Sequence, residues 1–301
     1  MSELRDRVRR AADQFHPPTD WRERIHERVR TRRRNRRLAA GIVGLGIPIV
    51  LLAVLVANVT LSSDSQPAVN PPAQRCQPEV GPDPTLFWRA EETTTDVTSG
   101  VRASLRGDAA FGPGIVGNAF VLDGDGDFVE VPDNRAPHLG SKNFTISLWV
   151  RFISTKGEQV LIEDWIETTA LSGPKGWTLT KLKTDVIGFG TNAGGIDSEP
   201  LEIPIDRWIH VAVRRAAGDL STFVDGQLVA NGPMEYPRRA IDSTASLKIG
   251  HRGSPDDTPG SRDRRGFFLD GSVDEIAIFI GQGLSDVAIQ RIFETGGACL
   301  L

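Results

Sequence analysis

Cysteine is nearly absent: the 301 residues carry only Cys76 and Cys299. Two thiols exclude a disulfide-dense miniprotein and a four-thiolate zinc site. Long apolar runs are scarce, and a mean hydropathy of −0.21 excludes a polytopic membrane protein. The chain as a whole lacks an excess of positive charge. Its net charge of −4 argues against a nucleic-acid partner. What is present is the balance of a folded protein with one or two domains, 39% apolar and 25% charged. The 31 Gly and 19 Pro supply turns.

Lysine is missing from residues 1–37, where thirteen arginines face six acids, so this head is +7 and the rest of the chain −11. Directly after it comes the one long apolar run, Leu38 to Leu61, 24 residues without a charge. A helix of that length reaches roughly 36 Å, more than the ~30 Å of a bilayer's hydrocarbon core. Pro48 inside it predicts a kink. A cleaved signal peptide would need a 37-residue basic region, and no small-x-small site follows cleanly, so an uncleaved anchor fits better. The arginine asymmetry then places residues 1–37 in the cytoplasm and everything after the span outside.

The head reads as two short helices broken at His16-Pro17-Pro18, the second opened by Asp20 with Glu23 three residues on. Beside a bilayer its arginines attract anionic lipid headgroups, about 1 kcal/mol each. This head resembles the leaders of actinobacterial membrane proteins, and an excess of arginine over lysine is compatible with a bacterium of high GC content. Residues 62–85, dense in Pro, Ser and polar side chains, read as a stalk.

From Leu86 to the end, residues 86–301, short alternating runs are separated by Gly, Asp and Pro. Phe120-Val121-Leu122, Phe128 to Val131, Phe144 to Val150, Trp208 to Val213, Leu247 to Gly250 and Ser272 to Ile280 read as strands. Ser221 to Val224, Asp225-Gly226 and Gln227 to Ala230 read as a hairpin, because Asp-Gly accepts the positive φ of a two-residue turn. One helix is expected near the end, capped by Ser285 and stopped by Gly296-Gly297. The fold class is therefore all-β, an antiparallel two-sheet jelly-roll sandwich behind an N-terminal helical segment and one transmembrane helix.

Phe87-Trp88-Arg89-Ala90-Glu91, Gly117 to Gly124, Asp127 to Pro132, Phe144 to Val150, Trp208 to Ala212, Phe223 to Gly226, Ile249-Gly250, Phe268 to Gly271 and Val273 to Ile276 follow one another in a familiar order. Together they resemble the laminin-G-like, concanavalin A-like jelly-roll domains over essentially all of residues 86–297. The resemblance implies two curved antiparallel sheets with rim loops free for a ligand. It implies little about activity, because many activities share this fold. It also implies neighbouring chain ends, so Cys76 and Cys299, which bracket the domain, are expected to form a disulfide outside the cytoplasm. Related jelly rolls often hold a structural calcium between first and last strands. Glu91, Asp96 and Asp274 are the candidate ligands, the alternative being acids bonded to backbone amides or arginines.

Other constellations carry less. Asp123, Asp125 and Asp127 begin like a calcium loop, but Phe128 stands where Gly is needed and Asn134 where Glu is needed, so a hairpin tip is expected. Glu163, Asp164 and Glu167 lack the E-x-D-x-x-E spacing that sets two carboxylates about 5 Å apart on one strand face, so the retaining-glucanase signature is absent. His210 reads as a packed, bonded histidine. Trp165 and Trp177 stack on a sugar or fill the core. In residues 254–265, Asp256, Asp257 and Asp263 mix with Arg262, Arg264 and Arg265, a ligand rim or a self-paired loop. The expected role is non-catalytic: surface binding or adhesion to carbohydrate or an extracellular protein, through rim loops or the concave sheet. A glycan hydrolase, or a sensor signalling through the cytoplasmic helices, is the alternative.

Overall fold

The computed structural model describes residues 81–166, 174–252 and 267–300. The head, the apolar span and most of the stalk lie outside the described residues. Among the described residues, no helix is long and apolar enough to cross a membrane.

Two antiparallel sheets face each other. The first has eight strands in the order β13 (Gln227–Pro233), β12 (Asp219–Val224), β11 (Trp208–Ala216), β6 (Phe144–Phe152), β15 (Asp270–Ile280), β4 (Asn118–Asp123) and β3 (Ala110–Pro113), with β1 (Leu86–Trp88) also pairing with β15. The second has seven: β10 (Gly194–Asp197), β9 (Ile187–Thr191), β8 (Lys175–Lys181), β7 (Gln159–Ile166), β14 (Leu247–Ile249), β5 (Phe128–Val131) and β2 (Ser104–Arg106). One α-helix, α1 (Asp286–Thr295), follows β15.

Period-two alternation explains which face goes where. Phe144, Ile146, Leu148, Val150 and Phe152 of β6 point into the main core, where they meet Ile162, Leu179, Phe189 and Ile249 of the second sheet. All nine residues of β6 are nevertheless buried, because the other face of the first sheet is covered as well. There α1 lays Ile289 and Ile292 over Phe87, Ala212, Phe223, Ala277 and Phe279. Ser285 caps this helix, accepting from the Ala288 amide at 3.2 Å, and Gly296 ends it in the left-handed conformation. The expected Asp-Gly hairpin joins β12 to β13, with φ of 49° at Asp225 and 72° at Gly226.

No described helix lies over the outer face of the second sheet, yet Glu163, Thr178, Thr180 and Lys248 on that face are buried. Charged and polar residues line that face. Register places Glu130, Lys248, Glu163 and Thr178 side by side across β5, β14, β7 and β8. The row ends in Gly190 of β9 and Gly195 of β10.

Candidate functional site

The outer face narrows to a cleft of about 290 Å³ between β7 and β10, close to the lower end of the ~300–1,000 Å³ usual for small-molecule sites. Glu158, Trp165, Thr178, Thr180, Leu182, Gly188, Gly190, Asp197 and Arg252 line it. A larger hollow of about 410 Å³ lies where Gly81 and Pro82 meet α1. Its lining, mostly aliphatic and glycine, brings no comparable set of polar groups together.

Arg252 organises the cleft. Its Nη1 donates to Glu158 Oε1 at 2.6 Å, its Nε to Glu163 Oε2 at 3.4 Å, and its Nη2 to the hydroxyls of Thr178 and Thr180 at 3.3 and 3.1 Å. The two hydroxyls lie 2.8 Å apart. The guanidinium also lies over the Phe267 ring, 5.0 Å from its centre. Glu163 has no exposed side-chain surface, so this guanidinium helps to balance a buried carboxylate.

Glycines shape the opposite wall. A Cβ on Gly188 would stand 2.5 Å from Asp197 Oδ1, so only glycine lets β10's carboxylate approach β9 here. A Cβ on Gly190 would meet nothing closer than Thr178 Cγ2 at 3.6 Å; that position is open toward the cleft. Trp165, half-buried, stands at the end of β7 beside Gly176. The result is an aromatic edge, a bare backbone floor, a guanidinium, two hydroxyls and the exposed carboxylate of Asp197. A sugar ring presents complementary chemistry, an apolar C–H face and hydroxyls that both donate and accept.

This arrangement is poorly suited to hydrolysis. Asp164, the neighbour of Glu163, faces the core side of the sheet, where its carboxylate accepts from Ser243. Glu158 and Glu163 are both committed to Arg252. Glu167 lies outside the described residues.

The remaining expected site residues are distributed as follows. Trp165 is at the cleft. Trp177, expected on the rim, is fully buried against Phe189, with ring centres 6.1 Å apart, because alternation along β8 turns it to the core face. The expected calcium set is divided. Asp96 accepts amides from Phe87, Thr98, Ser99 and Val101 and the Ser99 hydroxyl. Burial raises its pKa, but these hydrogen bonds outweigh that and hold it below the usual carboxylate value.

Glu91 accepts from Asn118, and Asp274 from the Ile115, Val116 and Glu275 amides, so both hold one turn over residues 114–118 that Asp96 does not join. Burial, with Glu275 beside it, pushes the Asp274 carboxyl up to about 8. The other reading of these acids, as backbone acceptors, describes this geometry. The expected hairpin tip at Asp123–Asp127 is instead a crossover from β4 of the first sheet to β5 of the second, and Asp127 braces it, accepting from the Asp108 amide at 2.5 Å and the Asp123 amide at 3.3 Å. Cys299 packs against the cluster under α1, and no described cysteine is a free thiol. Cys76, Asp256, Asp257, Arg262 and Asp263 lie outside the described residues.

Sequence reasoning passes over Thr178, Thr180, Gly188, Gly190, Asp197 and Arg252. The signal was period two in Thr178-Leu179-Thr180 and Ile187-Gly188-Phe189-Gly190, where a polar residue or glycine alternates with a core residue.

The family model described as concanavalin A-like lectin/glucanases superfamily, of the laminin-G type, matches residues 123–282, more than half of the chain. The chain belongs to that superfamily. No curated protein matches it in sequence. Among solved structures, domain 4 of an extracellular GH43 arabinanase from Geobacillus stearothermophilus, in complex with arabinotriose, is 16% identical with a TM-score of 0.52, covering 70% of this chain and 98% of that one. The binding domain of Paraclostridial mosquitocidal protein 1 (13% identity, TM-score 0.54, 71% of this chain) and the receptor-binding domain of a botulinum neurotoxin C/D mosaic (17%, 0.53, 71%) are also similar. The chain spans about half the length of those toxin domains. At these identities the likeness is one of fold. The last two are described as binding domains.

Proposed function

We propose that this protein is a non-catalytic carbohydrate-binding module held at the outer surface of a bacterial membrane. The observation that carries the reading is the glycine-floored cleft on the outer side of the second sheet, where Trp165, Thr178, Thr180, Asp197 and Arg252 converge. Trp165 offers a ring for stacking, Asp197 accepts from two adjacent hydroxyls, and the Arg252–Thr178–Thr180 group offers donors. Similar structures support the class: one neighbour is described in complex with arabinotriose, another in complex with SialylT.

The membrane placement rests on the sequence. The +7 head, the 24-residue apolar run and the polar stalk form one signal-anchor pattern, with anionic lipid headgroups as the head's partner. A Cys76–Cys299 bridge would then tie the stalk to the C-terminal end of the domain.

The test is an immobilised glycan panel probed with the full-length protein and its Gly190→Val variant. Valine suits a strand, and its methyl groups project into the cleft, so the variant should melt like wild type yet bind its best glycan at least about tenfold more weakly. Equal binding by both proteins would exclude the cleft. Absence of binding across the panel, with capture of an extracellular protein instead, would move the assignment to a protein ligand.

A further inference from the structure

A second cluster lies on the other side of β7 from the cleft. His138, from the segment between β5 and β6, Asp164 of β7, and Asp242, from the segment before β14, each place one ligand atom within 4.8 Å of the other two. Among the described residues they are the only such group of His, Cys, Asp and Glu. Three parts of the chain far apart in sequence thus converge on one imidazole and two carboxylates.

Part of this set is already anchored. Asp164 accepts from the Ser243 hydroxyl and from its amide at 3.4 Å, and Asp242 Oδ1 accepts from the Gly140 amide at 2.7 Å. Neither carboxylate joins an ion pair with Lys or Arg. Asp164 is buried, Asp242 partly so, and His138 is exposed. Two carboxylates held together without a Lys or Arg partner repel each other, and a cation at their centre would reverse the sign of that interaction. Consistent with this, burial pushes the Asp164 carboxyl up to about 6, and Asp242 adds to the rise while His138 opposes it.

We propose that His138, Asp164 and Asp242 bind one divalent ion of the zinc class. The donor set selects the metal. Calcium prefers six to eight oxygens and has little use for imidazole. One nitrogen and two carboxylate oxygens suit Zn²⁺, whose ligand atoms stand about 3.3 Å apart at the bond lengths of a tetrahedral site. The 4.8 Å limit leaves each side chain only a small movement to reach that spacing. Three protein ligands leave a fourth position for water on the exposed side of His138. The ion would pin the segments before β6 and before β14 to β7, the strand whose next residue, Trp165, edges the cleft. This assignment does not depend on the carbohydrate reading.

The test uses full-length protein stripped with EDTA and titrated with Zn²⁺ by calorimetry, with Co²⁺ as a visible-absorption probe. One equivalent should bind, Co²⁺ should give the intense d–d bands of a four-coordinate site, and Zn²⁺ but not Ca²⁺ should raise the melting temperature. Because His138 is exposed, His138→Ala should leave the metal-free melting temperature unchanged. It should weaken Zn²⁺ binding by about tenfold or more and abolish the cobalt bands, and Asp242→Asn should do the same. Zinc affinity unchanged in both variants, no stoichiometric binding, or a larger thermal shift with Ca²⁺ than with Zn²⁺ would each overturn the assignment.

Discussion

His210 illustrates what burial does to a single side chain. It is fully buried beside Trp149 and Phe293, and its Nε2 shares a hydrogen bond of 2.8 Å with the Ser147 hydroxyl. Loss of hydration disfavours the cation and pushes the imidazole pKa down to about 3. The folded state then binds fewer protons than the unfolded state between about pH 3 and 6.5, so stability is full above that window and falls as the pH drops through it. We predict that His210→Gln, whatever its effect at pH 7.5, loses less stability than wild type between pH 6.5 and 4.5 in denaturant titrations. Parallel slopes would mean that His210 is charged in the folded state.

Residue identity was legible where chemistry is local and illegible where neighbours decide. The Asp225-Gly226 turn and the Ser285 cap follow from backbone preferences alone and stand as expected. Trp165 and Trp177 look alike in the sequence. Which one reaches the outside depends on the phase of β7 and β8, and a register shift between Val160 and Ile162 offsets the alternation.

At the scale of elements, the strands with strong apolar alternation were legible: β4 to β6 and β11 to β15 all lie where the pattern puts them. The stretch that became β8, β9 and β10 was not, because Gly188, Gly190, Gly194 and Gly195 lower strand propensity and a reader scores them as loop. β8 and β9 are nevertheless paired on both sides, with β10 as an edge strand on β9, and the missing side chains of Gly188 and Gly190 open the cleft.

The meeting of the described domain's first and last residues is also an element-scale fact. Gly81 sits within reach of Leu284 and Ala288, and Leu300 shares a cluster with Phe87 of β1. A bridge between Cys76 and Cys299 across this junction would constrain the unfolded chain by roughly 5 kcal/mol, less any strain. We therefore expect reduction to lower the melting temperature and to slow migration on a denaturing gel. A band unmoved by reductant, with two alkylatable thiols, would exclude the bridge.

The whole molecule combines a basic head, an apolar run and an acidic β-sandwich. The sandwich and its family were readable from motif order, whereas the cleft was not, because it is assembled from five separate segments. If the anchor reading holds, protease added to intact cells should digest residues beyond the stalk and spare the arginine-rich head. A domain protected until lysis would contradict it.

A glycan docked against Trp165 in the cleft of the second sheet would be read directly by that ring's intrinsic fluorescence. Titrating the full-length protein with its best panel glycan should give a saturable change in tryptophan emission that disappears in Trp165→Phe. An identical change in that variant would place the sugar elsewhere and contradict the account.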